Sequence, residues 1–269
     1  MCELFGINGK KKCDITPILQ EFFRHSEIHA HGWGLAVFYD DAVSLEKEPV
    51  KAIESNYLRA RLHNGVKAAN AIAHIRLASV GGMSYENCHP FVKHDNMGRS
   101  WTLAHNGTIF NPSATSLLDE KVESIDKYTD VQEGSTDSER ILYYLIEEIN
   151  KEQSRLGRSL TSDERFFLLE NFVSTLSEGN KLNLLIWDGE HLYIHTNYAD
   201  SLYYREILPE KSIVFATTPL DPGGWKPVPF LRLIVCRNGE IVYEGTPSSR
   251  EYFDKYKGWE YENIDYSTL

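Results

Sequence analysis

Cys2, Arg76, Asn106, Gly107 and Asp137 are the residues of this 269-residue chain whose types and surroundings could do chemistry together. A cysteine nucleophile must lose its proton, and a free thiol holds that proton up to a pKa of about 8.5. Position two offers an unusual resource. If Met1 is removed, Cys2 carries its own α-amine, whose pKa of roughly 7.7–8 suits proton exchange at neutral pH. Arg76 follows an apolar run in "NAIAHIR", where its planar fork could grip a carboxylate. "LAHNGTIFN" offers the Asn106 amide and an unobstructed Gly107 N–H, the donor pair an oxyanion requires. Asp137 in "STDSE" stands at a helix start and could meet an ammonium group. Each also has an ordinary reading. Arg76 could form a surface ion pair, Asn106-Gly107 a plain turn, and Asp137 a favourable charge at a helix N terminus.

These residues need elements to hold them. Residues 3–8 suit a strand, and "TPILQEFFRH" predicts a helix with Thr16 as N-cap and Pro17 in its first turn. "GWGLAVFYDDAVSLEKE" reads as a hairpin turning at Asp40-Asp41, its first arm apolar on both faces. A short helix over "NYLRARLH" and strands over "NAIAHIRLA" and "SWTLAH" follow. Thr136 with Glu139, and Thr161 with Glu164, have the spacing of capping boxes that open two longer helices. Strands then return, with hairpins at Asp188-Gly189 and Asn238-Gly239 and a strand over "SIVFATT". Strands, central helices and strands again, without βα alternation, predict an α+β fold of helices on largely antiparallel sheets. The polar, aperiodic stretch 111–135 reads as a mobile surface loop. The Tyr-rich "REYFDKYKGWEYENIDY" reads as a C-terminal helix packed by its aromatics.

Composition narrows the function classes. A net charge of −11 argues against a nucleic-acid partner, because phosphate binding needs a basic surface. No apolar run approaches the roughly 20 residues of a membrane helix, and Glu3 and Gly6 interrupt any signal-like start. Four scattered cysteines without CxxC spacing suggest neither a disulfide framework nor zinc, and a cytoplasmic location is expected. His29-x-His31 is the one close pair among ten histidines, and with no third ligand at a persuasive spacing no metal is expected. No phosphate-cradling glycine motif is present, so no cofactor is expected.

Read in order, Cys2, "HIR" (74–76), "NCHPF" (87–91), "HNG" (105–107) and "STDSE" (135–139) resemble the class II glutamine amidotransferases. These are members of the N-terminal nucleophile hydrolases. "HGWGLAVF" (31–38) is similar to the family's glycine-rich second strand. A late segment, "FATTPL" (215–220), brings the chain nearest to the stand-alone YafJ-like subgroup. The resemblance runs from residue 2 to about residue 245. It implies a four-layer αββα fold, one domain over residues 2–269, with the tail 246–269 packed on it.

The resemblance also implies roles. Cys2 Sγ would attack the side-chain amide of glutamine, and its own amine would serve as base. Asn106 and Gly107 would hold the oxyanion, Arg76 the substrate α-carboxylate, and Asp137 the α-ammonium. A γ-glutamyl thioester would then be hydrolysed to glutamate. A separate synthase subunit that uses the ammonia is the implied partner. Family members with synthase domains commonly read R-W-A-T-H, where this chain has Arg76-Leu77-Ala78-Ser79-Val80, and Ser135 replaces a usual glutamate. Leu77 and Val80 motivate an alternative substrate class, γ-glutamyl peptides or conjugates. A binding or regulatory module that keeps the fold without catalysis is a further alternative, and it would retain Met1. His89 and His105 are expected to be structural hydrogen-bonders, and Cys88 structural.

Overall fold

The computed structural model describes residues 2–39, 42–78, 82–110, 132–207 and 211–253. The first half supplies β1 (Glu3–Asp14), α1 (Thr16–Arg24), β2 (Trp33–Phe38), β3 (Val43–Glu48), α2 (Asn56–His63) and β4 (Lys67–Ile75). Next come β5 (Phe91–His94), β6 (Ser100–Thr108), and two longer helices, α3 (Asp137–Leu156) and α4 (Ser162–Ser177). Strands β7 (Lys181–Trp187), β8 (Leu192–Thr196), β9 (Tyr203–Ile207) and β10 (Ser212–Ala216) follow. The last are β11 (Lys226–Pro227), β12 (Leu233–Arg237) and β13 (Glu240–Glu244).

One sheet has the order β11-β9-β10-β1-β4-β2-β3 and the other β13-β12-β8-β7-β6-β5, with antiparallel neighbours throughout. Three apolar clusters define four layers. Leu19, Phe22, Phe23 and Leu58 from α1 and α2 pack on Phe5, Ile7, Leu35 and Ala73 of the first sheet. Leu4, Ala36 and Ile72 on its other face meet Ala104, Leu185 and Ile194 of the second sheet. Leu103, Leu182 and Leu184 on the outer face of that sheet are covered by Ile141, Leu145, Leu169 and Phe172 from α3 and α4. A sheet covered on both faces has no wet side, so β2, β7 and β8 are buried at every residue. The αββα sandwich therefore matches the expected fold. No helix among the described residues is long and apolar enough to cross a membrane.

Local chemistry refines several sequence expectations. Asn238 and Gly239 both have positive φ, the conformation that closes the tight β12–β13 hairpin. Thr16 is not the N-cap of α1 but its first residue. Asp14 Oδ1 accepts from the Thr16 N–H (3.0 Å) and hydroxyl (2.6 Å), which frees Thr16 Oγ1 to accept from Val66 N (2.8 Å). The capping box at Thr161 and Glu164 is complete. At α3 only half of it forms: Thr136 Oγ1 accepts from Glu139 N, but the buried Glu139 carboxylate accepts from Glu133 N and Gly134 N in the preceding segment. The expected turn at Asp40-Asp41 and most of the 111–135 loop lie outside the described residues. So does most of the Tyr-rich segment, whose described part, residues 250–253, forms neither helix nor strand.

Candidate active site

Side-chain alternation along strands puts Cys2 on the same face as Leu4, Arg76 on that of Ile72 and His74, and Asn106 on that of Ala104. Leu4, Ile72 and Ala104 all lie in the layer between the sheets. Cys2 precedes β1, Arg76 follows β4, which pairs with β1 through Glu3↔Ile75, and Asn106 lies near the end of β6.

The half-buried thiol of Cys2 meets both backbone groups of one residue. Leu77 N donates to Sγ and Leu77 O accepts from it, each at 3.3 Å. Burial pushes the Cys2 thiol above its ordinary range, the Leu77 contact and the Arg76 guanidinium oppose that rise, and Asp137 adds to it. At neutral pH the sulfur is therefore a thiol that needs a proton acceptor before it can attack. The start of β1 is fixed by the "FATT" segment. Leu4 N donates to Thr217 Oγ1 and Thr217 N to Leu4 O, both at 3.1 Å. Glu3, one residue nearer the thiol, accepts from Thr218 Oγ1 (3.2 Å) and pairs with His25 Nδ1 (2.8 Å).

Arg76 is 2% exposed, and its Nη1 donates to Gly82 O at 3.0 Å. Burial lowers its pKa, which Cys2, Cys88 and Asp137 counteract, and a guanidinium stays charged in any case. Asn87 of "NCHPF" donates to the same Gly82 carbonyl (3.0 Å) and accepts from Ser135 N (2.8 Å). It thus ties the segment after Arg76 to the segment before α3. Ser135, in place of the family's usual glutamate, also accepts from Asn87 Nδ2 (3.3 Å). Gly34 of "HGWG" is required by close approach, because a Cβ there would collide with the His89 carbonyl oxygen.

Asp137 opens α3, with Oδ2 accepting from Ile109 N (2.9 Å) and Oδ1 facing the Ser138 hydroxyl (3.2 Å). His105 braces the same helix start from β6. Its Nδ1 lies 3.0 Å from Ser138 Oγ and its Nε2 3.2 Å from Lys181 O. A carbonyl can only accept, so Nε2 carries the proton, and burial, opposed by Asp137, holds the ring below its usual pKa. Behind it, His89 Nδ1 accepts from His105 N (3.3 Å), and the His89 ring stacks on His74 at 4.1 Å between centroids. Burial drives His74 and His89 well below the usual imidazole range, so both are neutral spacers at pH 7. Asn106 lies between His105 and Ile109, the two β6-side residues bonded to the start of α3. It is 6% exposed, and its amide makes no hydrogen bond within the described residues. A Cβ at Gly107 would overlap the Lys181 carbonyl oxygen, so the β6–β7 approach demands glycine there.

Cys2, Arg76 and Asp137 lie within electrostatic reach of one another, whereas no contact among the described residues ties Asn106 or Gly107 to the Cys2 thiol. A cation and an anion act on one thiol, an arrangement suited to the two charged ends of an amino acid. His29 and His31 do not converge as a pair: His29 Nδ1 bonds the His25 carbonyl, whereas His31 Nδ1 accepts from Ala78 N. Sequence reasoning weighed Leu77 only for its side chain and His31 only as half of a metal pair, and gave no role to Asn87 or Thr217. Asn87 and Thr217 sit inside quoted motifs, and that was the available signal.

The family model for class-II glutamine amidotransferases matches residues 1–209. The uncharacterized protein MJ1515 of Methanocaldococcus jannaschii is 31% identical over 90% of this chain and 71% of its own length. The glutamine aminotransferase class-II domain protein of Silicibacter pomeroyi superposes with a TM-score of 0.62 at 19% identity, covering 91% of this chain and all of the other. The glutamine phosphoribosylpyrophosphate amidotransferase of B. subtilis gives 0.64 at 19% identity, and its chain is only 48% covered. At those identities the two structures speak to the fold. The sequence match extends over most of the chain, and the protein belongs to the class-II glutamine amidotransferases.

Proposed function

We propose that the protein hydrolyses the side-chain amide of glutamine through a thioester on Cys2. The observation that carries this reading is the Cys2 thiol seated on the Leu77 backbone next to Arg76, with Arg76 and Asp137, of opposite charge, near enough to act on it. With Met1 removed, the Cys2 α-amine takes the thiol proton and Sγ attacks the amide carbon. The Asn106 amide and Gly107 N–H stabilise the oxyanion. The C–N bond breaks, ammonia leaves with the proton returned by the amine, and water cleaves the γ-glutamyl thioester to glutamate and thiol. Arg76 binds the α-carboxylate and Asp137 the α-ammonium, so the scissile carbon is held against sulfur before reaction.

Two measurements test this. Intact mass of protein isolated from its native host is expected to lack Met1; a retained Met1 would remove the base and favour a non-catalytic module. Purified enzyme is expected to hydrolyse glutamine, and Asn106→Ala to lower kcat by about 10²–10³-fold with little change in KM. A comparison with γ-glutamyl dipeptides separates the alternative substrate class. Preference for the dipeptides would transfer the same mechanism to a larger leaving amine.

A further inference from the structure

The sulfur of Cys2 is cradled by a residue that is itself held from both sides by a single histidine. His31 N donates to Arg76 O (3.0 Å), and His31 Nδ1 accepts from Ala78 N (2.8 Å). Leu77, between them, presents its N–H and C=O to Sγ. The ladder between β2 and β4 continues one step past Trp33↔Ile75, through Arg76 N to Gly32 O (2.8 Å), and among the described residues it offers no further backbone acceptor to the Ala78 N–H. The imidazole extends the ladder by one residue. We propose that His31 is a positioning residue for the reaction at Cys2, fixing Arg76–Ala78 so that Leu77 cradles the sulfur and Arg76 faces the substrate.

The acceptor role requires an unprotonated Nδ1, so the working form is the neutral ring with its proton on Nε2. Burial, with Arg76 adding to it, keeps His31 below the usual imidazole range and favours that form. The proposal rests on Cys2 as the reacting atom, but its geometry makes a side-chain-specific claim. Asparagine places Oδ1 close to the position of Nδ1 and can accept from Ala78 N. Glutamine places its oxygen one bond further out, and alanine offers none.

The test compares wild type with His31→Asn, His31→Gln and His31→Ala in two assays. One is glutamine kinetics. The other is the rate of Cys2 alkylation by iodoacetamide, read by peptide mass spectrometry, which needs no turnover. His31→Ala and His31→Gln are expected to lose about 10–100-fold in kcat/KM. They should also alkylate Cys2 about tenfold more slowly below the thiol midpoint, because the Leu77 N–H no longer meets the thiolate. His31→Asn is expected to restore most of both. Equal behaviour of all three variants, at wild-type or at reduced level, would overturn the proposal, since it depends on an acceptor at one position. If wild type hydrolyses glutamine and the variants do not separate, the positioning role fails alone. If wild type does not turn over but alkylation separates Asn from Gln and Ala, the glutaminase reading fails and the cradle stands.

Discussion

Cys2→Ala is expected to lower glutamine hydrolysis by about 10³-fold or more, with a melting temperature within about 2 °C of wild type. The thiol is half-buried, and its two contacts are to Leu77 backbone groups at the rim of the space between the sheets. Truncation leaves those groups near water, so stability changes little. In the proposed mechanism nothing substitutes for sulfur: Asn106, Gly107, Arg76 and Asp137 would bind and polarise, but none could form the thioester. Protein carrying an uncleaved residue ahead of Cys2 is expected to match Cys2→Ala, because the amine is then an amide. Ammonia release and trapping of a γ-glutamyl adduct by mass spectrometry check both. Cys2→Ala turnover near wild type would assign the reaction to another nucleophile.

The second large effect is on stability, at the other end of β7. Asp188 is fully buried, and its carboxylate accepts from Arg165 Nε (2.7 Å), Tyr193 OH (2.7 Å), Glu190 N (2.8 Å) and His191 N (2.6 Å). Arg165, 3% exposed, is its ion partner. Asp188→Ala would leave a buried guanidinium without its main counter-charge and two backbone N–H groups without acceptors. The expected cost is about 3–5 kcal/mol, or roughly 10 °C in melting temperature. Although burial alone would raise the Asp188 pKa, the bonds to His191, Arg165 and Tyr193 outweigh it and hold the carboxyl at about 2. A carboxyl depressed on folding adds stability above its unfolded pKa of about 4, and that contribution is lost as pH falls toward 2. Denaturation curves at pH 7 and across that acid range should show a wild-type slope that Asp188→Ala lacks. Glutamine hydrolysis at 25 °C should be unaffected. Lys181, at the active-site end of β7, is seven residues away, about 23 Å along the strand. Equal stability of the two proteins would mean that the pair merely offsets its own desolvation.

Much of this was legible because certain letters allow few conformations or chemistries. Asn238-Gly239 announced a hairpin, Thr161 with Glu164 a helix start, and the run apolar on both faces in "GWGLAVF" a buried strand. Cys2, Arg76, Asn106 and Asp137 stand out because their side-chain types suit the proposed chemistry. The illegible parts act through the backbone or through long-range pairing. Leu77 holds sulfur with groups every residue possesses, so its letter says nothing. Asp188 read as an ordinary turn residue before Gly189, and only the arrival of Arg165 and Tyr193 from elsewhere makes it a hub. Glu139 has the right spacing for a capping box, yet the segment ahead of α3 folds back and claims its carboxylate instead. His31 looked like half of a metal pair, and its partner proved to be the Ala78 amide.

The grip of Thr217 on Leu4 spans 213 positions in sequence, and β1 sits between β4 and β10 rather than beside its chain neighbours. Pairings so distant form late in folding, after the entropy of closing a long loop has been met. β1 is separated from its β10 partner by most of the described chain, so it is among the last strands to be completed on both edges. Synthesis must reach β10 before the start of β1 is locked, so a chain stopped short of that strand would leave one edge of β1 open and Leu4 without its Thr217 partner.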